Sequence, residues 1–416
     1  MDTPSDDSSF VARFEQHLIG SGFTRRIVAH HLDCTETFLS YLRQAGIAVD
    51  AVTPEQLSRY LSTQLQRYRR KHGRPPASLT SWRHLQSSGI HRFLTFVQGR
   101  WPPALAATNG HERDIVSLLK EFEQALHERR ALAASTVVGH VEEARRFLDW
   151  LPGELSTSLS KLEIRDVDRY VKTRAGGIAR ITCRSRCIQI RSLLRFLHDT
   201  GRIPRDLAAA VIMPTRYRYE GIPSTIEPEQ IEAILAHVRR DRSPRGLRNY
   251  AMLLLLATYG LRAGEVRRLQ LQDIDWRREQ LWIQHSKTGA RSCLPLLHPV
   301  GQALLEYIRS ARPSCKDREV FIRLTAPRCA FLTNSTLYCV LRRQLAQVGI
   351  RLNGKRGPHI FRHARAASLL RSGVPLKTIG DVLGHRSTAS TAEYLKLADR
   401  ELRAVALSIP LPEIAP

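Results

Sequence analysis

Four blocks of sequence in the first half of this chain recur, in order, roughly a hundred residues later. Phe14-Glu15-Gln16-His17-Leu18 returns as Phe122-Glu123-Gln124-Ala125-Leu126, and Phe38-Leu39-Ser40-Tyr41-Leu42 as Phe147-Leu148-Asp149-Trp150-Leu151. Leu57-Ser58-Arg59-Tyr60-Leu61 is answered by Val167-Asp168-Arg169-Tyr170-Val171, and His91-Arg92-Phe93-Leu94 by Leu194-Arg195-Phe196-Leu197. The offsets stay between 103 and 110 residues, so order and spacing survive with small insertions. Such self-similarity commits both stretches to one supersecondary unit, used twice. Each copy reads as four or five amphipathic helices, with helix-start signals at Thr53-Pro54-Glu55 and from Ser160 to Asp166. Any two helical stretches share some likeness; four matched blocks in one order favour duplication.

Proline and glycine mark the joints. Gly99-Arg100-Trp101-Pro102-Pro103 closes the first copy. A Tyr- and Arg-rich linker runs from Met213-Pro214-Thr215 to Gly221-Ile222-Pro223-Ser224, and Thr225-Ile226-Glu227-Pro228-Glu229 then opens a helix. Three domains are expected, over 1–103, 110–215 and 225–416. The last reads as mixed α+β. Gly246 to Tyr259 is a buried helix, Gln280 to Gln284 an alternating strand, and Ser292 to Leu296 the strand that returns after Lys287-Thr288-Gly289-Ala290. Lys287 therefore belongs at a hairpin tip. Further helices are expected near 335–349, 361–372, 375–383, 388–396 and 399–407. The fold class is mainly α, with a small β-sheet in the C-terminal domain.

Composition narrows the partners. The chain has 416 residues and a formal net charge of +25, from 64 Lys and Arg against 39 Asp and Glu. An excess of this size favours polyanions, because phosphate contacts release condensed counterions. Met1 to Ser9 is acidic and polar, so no secretory leader is expected, and the longest apolar run, Ala251 to Ala257, is too short to span a bilayer. Seven dispersed cysteines suit reduced thiols in a cytosol. Cys183 and Cys187 stand one helical turn apart, but no second Cys/His pair lies near them, so packing is expected there and no metal site.

The last third of the chain carries the chemistry. Breaking a phosphodiester requires an in-line nucleophile, positive groups for the phosphoryl oxygens, and a proton for the leaving oxygen. Arg262, in Tyr259-Gly260-Leu261-Arg262-Ala263-Gly264-Glu265, and Arg362, in Pro358-His359-Ile360-Phe361-Arg362-His363, offer forked donors that match two phosphate oxygens. Glu265 lies close enough to orient Arg262. His359 shares a helical face with Arg362, behind a proline that suits a helix start; His363 points about 40° away and reads as structural. His385, in Leu383-Gly384-His385-Arg386, precedes Tyr394 in Thr391-Ala392-Glu393-Tyr394 by nine residues. Tyr394 is the candidate nucleophile, and Lys287 can protonate the leaving oxygen. A phenol is almost wholly protonated at neutral pH and needs a base and a positive setting. Taken singly, each of these residues is more often structural: arginines form salt bridges, turn lysines are exposed, and a helical tyrosine packs. The ordered set carries the case.

That set resembles the catalytic signature of the tyrosine recombinases, the phage integrase family. The signature is an Arg, a Lys, a His-x-x-Arg, a His or Trp, and a Tyr, in that order. Thr258 to Glu265, His285-Ser286-Lys287-Thr288-Gly289, His359 to His363, and Leu383-Gly384-His385 through Tyr394 look like its successive boxes, and the likeness covers roughly 225–407. Residues 110–215 are similar to the family's helical, SAM-like core-binding domain.

The resemblance implies a site-specific recombinase or integrase of a mobile element. In it Tyr394 attacks the scissile phosphate, giving a 3′-phosphotyrosyl link and a free 5′-hydroxyl, with no metal, ATP or other cofactor. Arg262, Arg362 and His359 would hold the phosphate, His385 would help position it, Lys287 would be the general acid and Glu265 would support the site. The implied partners are double-stranded DNA and a homotetramer on paired sites, or a mixed assembly with related recombinases, in a bacterial cytoplasm at the nucleoid.

The chain departs from the minimal pattern in its first copy. That copy could contact additional DNA, through Arg67 to Lys71 and Arg74, or another subunit. In the second copy Arg184, Arg186 and Arg191 are candidate DNA contacts. Two rival readings are a type IB topoisomerase, which shares the chemistry but relaxes one duplex, and a catalytically silent DNA-binding regulator.

Overall fold

The computed structural model describes residues 4–103, 110–130, 132–215, 226–285, 289–352, 354, 356–384 and 391. The chain divides into two compact units, Met1–Leu39 with Tyr219–Pro416, and Ser40–Arg218.

The matched blocks fall on matched helices. The first copy runs α1 (Pro4–Gly20), α2 (Arg25–Gln44), α3 (Pro54–His72) and α4 (Leu79–Gln98). The second runs α5 (Gly110–Arg130), α6 (Ala134–Trp150), a short α7 (Leu155–Ser160), α8 (Ile164–Ala175) and α9 (Arg180–Asp199). Paired positions are buried alike: Phe14 and Phe122, Phe38 and Phe147, Tyr60 and Tyr170, Leu94 and Leu197. His31 and His140, which also correspond, are both buried. Even the aromatic contacts repeat. Tyr41 lies 5.1 Å from Tyr60 between ring centroids, and Trp150, the residue answering Tyr41, lies 5.5 Å from Tyr170.

The caps repeat as well. Thr53 caps α3, its N–H donating to Gln56 Oε1 at 2.7 Å, and the Glu163 N–H donates to Asp166 Oδ2 at the start of α8.

In the unit Ser40–Arg218, α6 packs on α5 and α9. The α6–α8 contact has a polar centre. The phenol of Tyr170 donates to the buried carboxylate of Glu143 at 2.8 Å, and Arg146, Arg174 and Arg186 surround the same carboxylate at 3.4, 3.6 and 4.0 Å. A buried carboxylate needs such company, because desolvation without partners costs several kcal/mol.

The unit holding residues 226–384 is built on α11 (Pro244–Tyr259), buried on nearly every side. Ser243 starts it, its hydroxyl accepting from the Gly246 N–H, with Pro244 at the first helical position. Around it pack α10 (Pro228–Arg239), α12 (Ala263–Arg268), α13 (His298–Ser310), α14 (Ser335–Gln347) and α15 (His359–Arg371), and α16 (Leu376–Leu383) lies on α15.

A three-stranded antiparallel sheet, β1 (Ile274–Asp275), β2 (Gln280–Gln284) and β3 (Arg291–Pro295), completes the described part. β2 lies where its alternation predicts, with Leu281 and Ile283 buried. β3 starts one residue earlier than expected, because Arg291 pairs with Gln284. α15 starts at His359 rather than 361, so His359 and Arg362 share its first turn. The helices expected near 388–396 and 399–407 lie outside the described residues, save Thr391. Among the described residues no helix is long and apolar enough to cross a membrane, and no cluster of three His, Cys, Asp or Glu side chains is placed to hold a metal.

Candidate active site

The site begins where α11 stops. Gly260 ends that helix in the left-handed conformation, at φ 64°, and its N–H returns to Leu256 O. A side chain here would be strained by that φ and crowded, since a Cβ would stand 3.0 Å from Leu383 Cδ2 and 3.3 Å from Arg365 Cβ. The glycine thus lets α15 and α16 approach the turn that leads to Arg262.

Arg262 caps α12 and is gripped by Glu265. The Arg262 N–H donates to Glu265 Oε2 at 2.8 Å and its Nη1 to Oε1 at 2.7 Å. The Glu265 side chain is wholly buried and that of Arg262 is 14% exposed, which leaves the guanidinium a face to solvent. Burial by itself would raise the Glu265 pKa, but hydrogen bonds from His285 and Arg262, with the guanidinium charge, bring it down to about 2. Glu265 is therefore an anion at neutral pH, and it fixes Arg262 in one orientation.

Arg362 is buried, on the first turn of α15. Its Nη1 donates to Gly260 O at 3.0 Å and its Nη2 to Leu383 O. One guanidinium thus joins the end of α11, two residues before Arg262, to the end of α16, two residues before His385. His359 is exposed at the start of the same helix, and its ring stacks on that of His363 with centroids 6.1 Å apart. Arg262, Glu265, His359 and Arg362 are brought to connected elements of one unit. Lys287, His385 and Tyr394 lie outside the described residues.

The structure adds a residue that the sequence reading passed over. His285 follows β2 and is 2% exposed. Its Nδ1 lies 2.9 Å from Glu265 Oε1 and its Nε2 2.8 Å from Ser292 Oγ. The signal was available: residues 281, 283 and 285 share one face of an alternating strand, so a polar ring was due in a buried register.

Comparison with known proteins assigns the SAM-like and C-terminal parts of the chain. The phage integrase family model matches residues 224–401, and the model of the phage integrase N-terminal SAM-like domain matches 119–201. A candidate integrase/recombinase of Sinorhizobium fredii, y4rA, is 33% identical over 402 residues, 96% of this chain and 94% of its own length. The chain belongs to the phage integrase family of tyrosine site-specific recombinases.

A second Sinorhizobium fredii relative of the same description, y4gC, is 54% identical over 194 residues, 47% of this chain and all of its own. The fold agrees with that of the lambda integrase (residues 75–356) bound to DNA, at 16% identity and a TM-score of 0.54 over 71% of this chain and 99% of that one. In the present chain the three arginines expected to touch DNA have intrachain partners. Arg184 Nη1 donates to Pro214 O at 2.9 Å, Arg186 Nη1 to Arg174 O at 2.5 Å, and Arg191 Nη1 lies 3.6 Å from Met213 Sδ. Arg184 and Arg191 thus hold the segment that leaves the SAM-like domain. Periodicity along α9 could not reveal that, because the partners lie 22 to 30 residues further on.

Proposed function

We propose that this recombinase cuts and rejoins duplex DNA through a 3′-phosphotyrosyl link at Tyr394, in the service of a mobile element. The phenolic oxygen forms the new bond to phosphorus and gives up its proton to a neighbouring base or to water. The bond from phosphorus to the 5′ oxygen breaks, and that oxygen takes a proton from Lys287. A 5′-hydroxyl from a partner duplex later reverses the step, so the bond energy is retained. Arg262, Arg362 and His359 neutralise the charge that builds on the phosphoryl oxygens, with His385 beside them.

The observation that most supports this reading is the pair of bonds from Arg362. They draw together the ends of α11 and α16, and with them the stretches that hold Arg262 and His385. The net charge of +25 suits a DNA partner. Solved relatives include a lambda integrase dimer on a core site and a tetramer on a Holliday junction. By analogy this chain assembles on paired sites, which favours strand exchange over relaxation of one duplex. We assign domains to 1–103, 110–215 and 225–416. The first copy extends the DNA or subunit contact, and Arg184, Arg186 and Arg191 border the DNA face of the second.

The test uses nicked duplexes with a randomised core, in which the fragment beyond the cut diffuses away and traps the covalent complex. Wild type is expected to yield a denaturation-resistant adduct whose recovered DNA defines the site, and Tyr394→Phe none. An adduct that persists in the Phe variant would sink the tyrosine assignment.

A further inference from the structure

His285 meets Glu265, the returning strand β3 and the cap of α16. Glu265 is ionised and can only accept, so Nδ1 of His285 carries the hydrogen between them. On its other side Nε2 meets the hydroxyl of Ser292, on the returning strand β3. The main chain closes the turn at the same residue: the His285 N–H donates to Ala290 O and the Gly289 N–H to His285 O, both at 2.8 Å. A third wall is Gly384, the left-handed cap of α16, where a Cβ would fall 2.3 to 2.6 Å from the imidazole ring. The ring thus lies against the residue immediately before His385 and, along the chain, two residues before Lys287.

We propose that His285 is a positioning residue for leaving-group protonation, fastening the Lys287 hairpin to the Arg262–Glu265 pair and to the Gly384 turn. This rests on the proposed recombinase chemistry. A hairpin joined to its domain by main-chain bonds alone can rock about the strand pair. A buried side chain bonded to both Glu265 and β3 removes that freedom, and a misplacement of about 1 Å in a reacting group can cost about a hundredfold in rate. Gly384 fits the same purpose, since any larger residue would push the imidazole off Glu265. The glycine that caps α16 therefore also sets the seat of the hairpin.

The test is single-turnover cleavage of the trapped site, with two leaving groups. In one substrate the bridging 5′ atom is oxygen. In the other it is sulfur, which departs as a thiolate without being protonated, because thiols ionise near pKa about 8.5. His285→Ala is expected to slow cleavage of the oxygen substrate about a hundredfold, to leave DNA affinity within about twofold, and to recover most of the loss on the sulfur substrate. Lys287→Ala should follow the same pattern, and Arg262→Ala, which acts on the phosphate, should not be rescued. Ser292→Ala removes one bond only and serves if His285→Ala does not fold; it should show a smaller loss with the same rescue. His285→Asn keeps a donor towards Glu265 and should retain more activity than Ala.

Equal losses on both substrates for the His285 or Ser292 variants would overturn the proposal, as would no loss at all. If wild type forms no adduct, or if sulfur does not rescue Lys287→Ala, the underlying chemistry fails instead.

Discussion

Glu265 concentrates the electrostatics of the site in one carboxylate. It accepts from the backbone and side chain of Arg262 and from His285, and it is buried among them. Its pKa lies below the ordinary 4.5, at about 2, so its ionised form stabilises the fold. That contribution is fully present above pH 4.5 and declines as the pH falls towards about 2. Glu265→Gln should lower the urea midpoint at pH 7, and the gap from wild type should narrow by pH 3. A gap that stays constant across this range would mean that the charge of Glu265 contributes nothing to the fold. The same substitution turns a donor towards Arg262 or His285, so cleavage should fall while DNA binding holds. Of these residues, Arg262 and Glu265 were legible in the sequence because they lie three apart. Their link to His285 was not, since twenty residues separate the partners and only the folded hairpin brings them together.

Elements meet in this site through their ends. α11 ends at Gly260, α16 ends at Gly384, α15 begins at His359, and the guanidinium of Arg362 ties the first two to the third. Helix ends carry carbonyls without intrahelical partners, and a buried arginine satisfies two of them here. Gly260→Ala forces a left-handed residue and a Cβ into the contact with Leu383 and Arg365. It should cost about 1–2 kcal/mol from backbone strain alone, read as a lower denaturant midpoint, and should slow cleavage further than that loss explains. Unchanged stability would show that the close approach is dispensable. The boxes were visible in sequence as glycines beside charged residues, but their mutual bonds were not. The sequence marks Arg362 as a fork for phosphate, and in the fold two of its nitrogens bond to protein carbonyls. A guanidinium has further donors, so holding the site and facing a phosphate are compatible tasks.

Across the whole molecule, duplication was the most legible feature. Matched blocks predicted matched helices, and the buried pairs Phe38 and Phe147, Tyr60 and Tyr170, and His31 and His140 follow it. Apolar spacing survives duplication because it is what buries a helix face. Surface charge drifts more freely: α3 ends in Arg69, Arg70, Lys71 and His72, while its counterpart α8 has only Lys172 and Arg174 in its last turn. Catalysis by a tyrosine is the claim that joins these levels. Its most direct measurement is mass spectrometry of the trapped protein–DNA adduct after proteolysis and nuclease digestion. The account predicts a single modified peptide, with the nucleotide joined through its 3′-phosphate to Tyr394. A nucleotide on any other residue, or one attached through a 5′-phosphate, would contradict it.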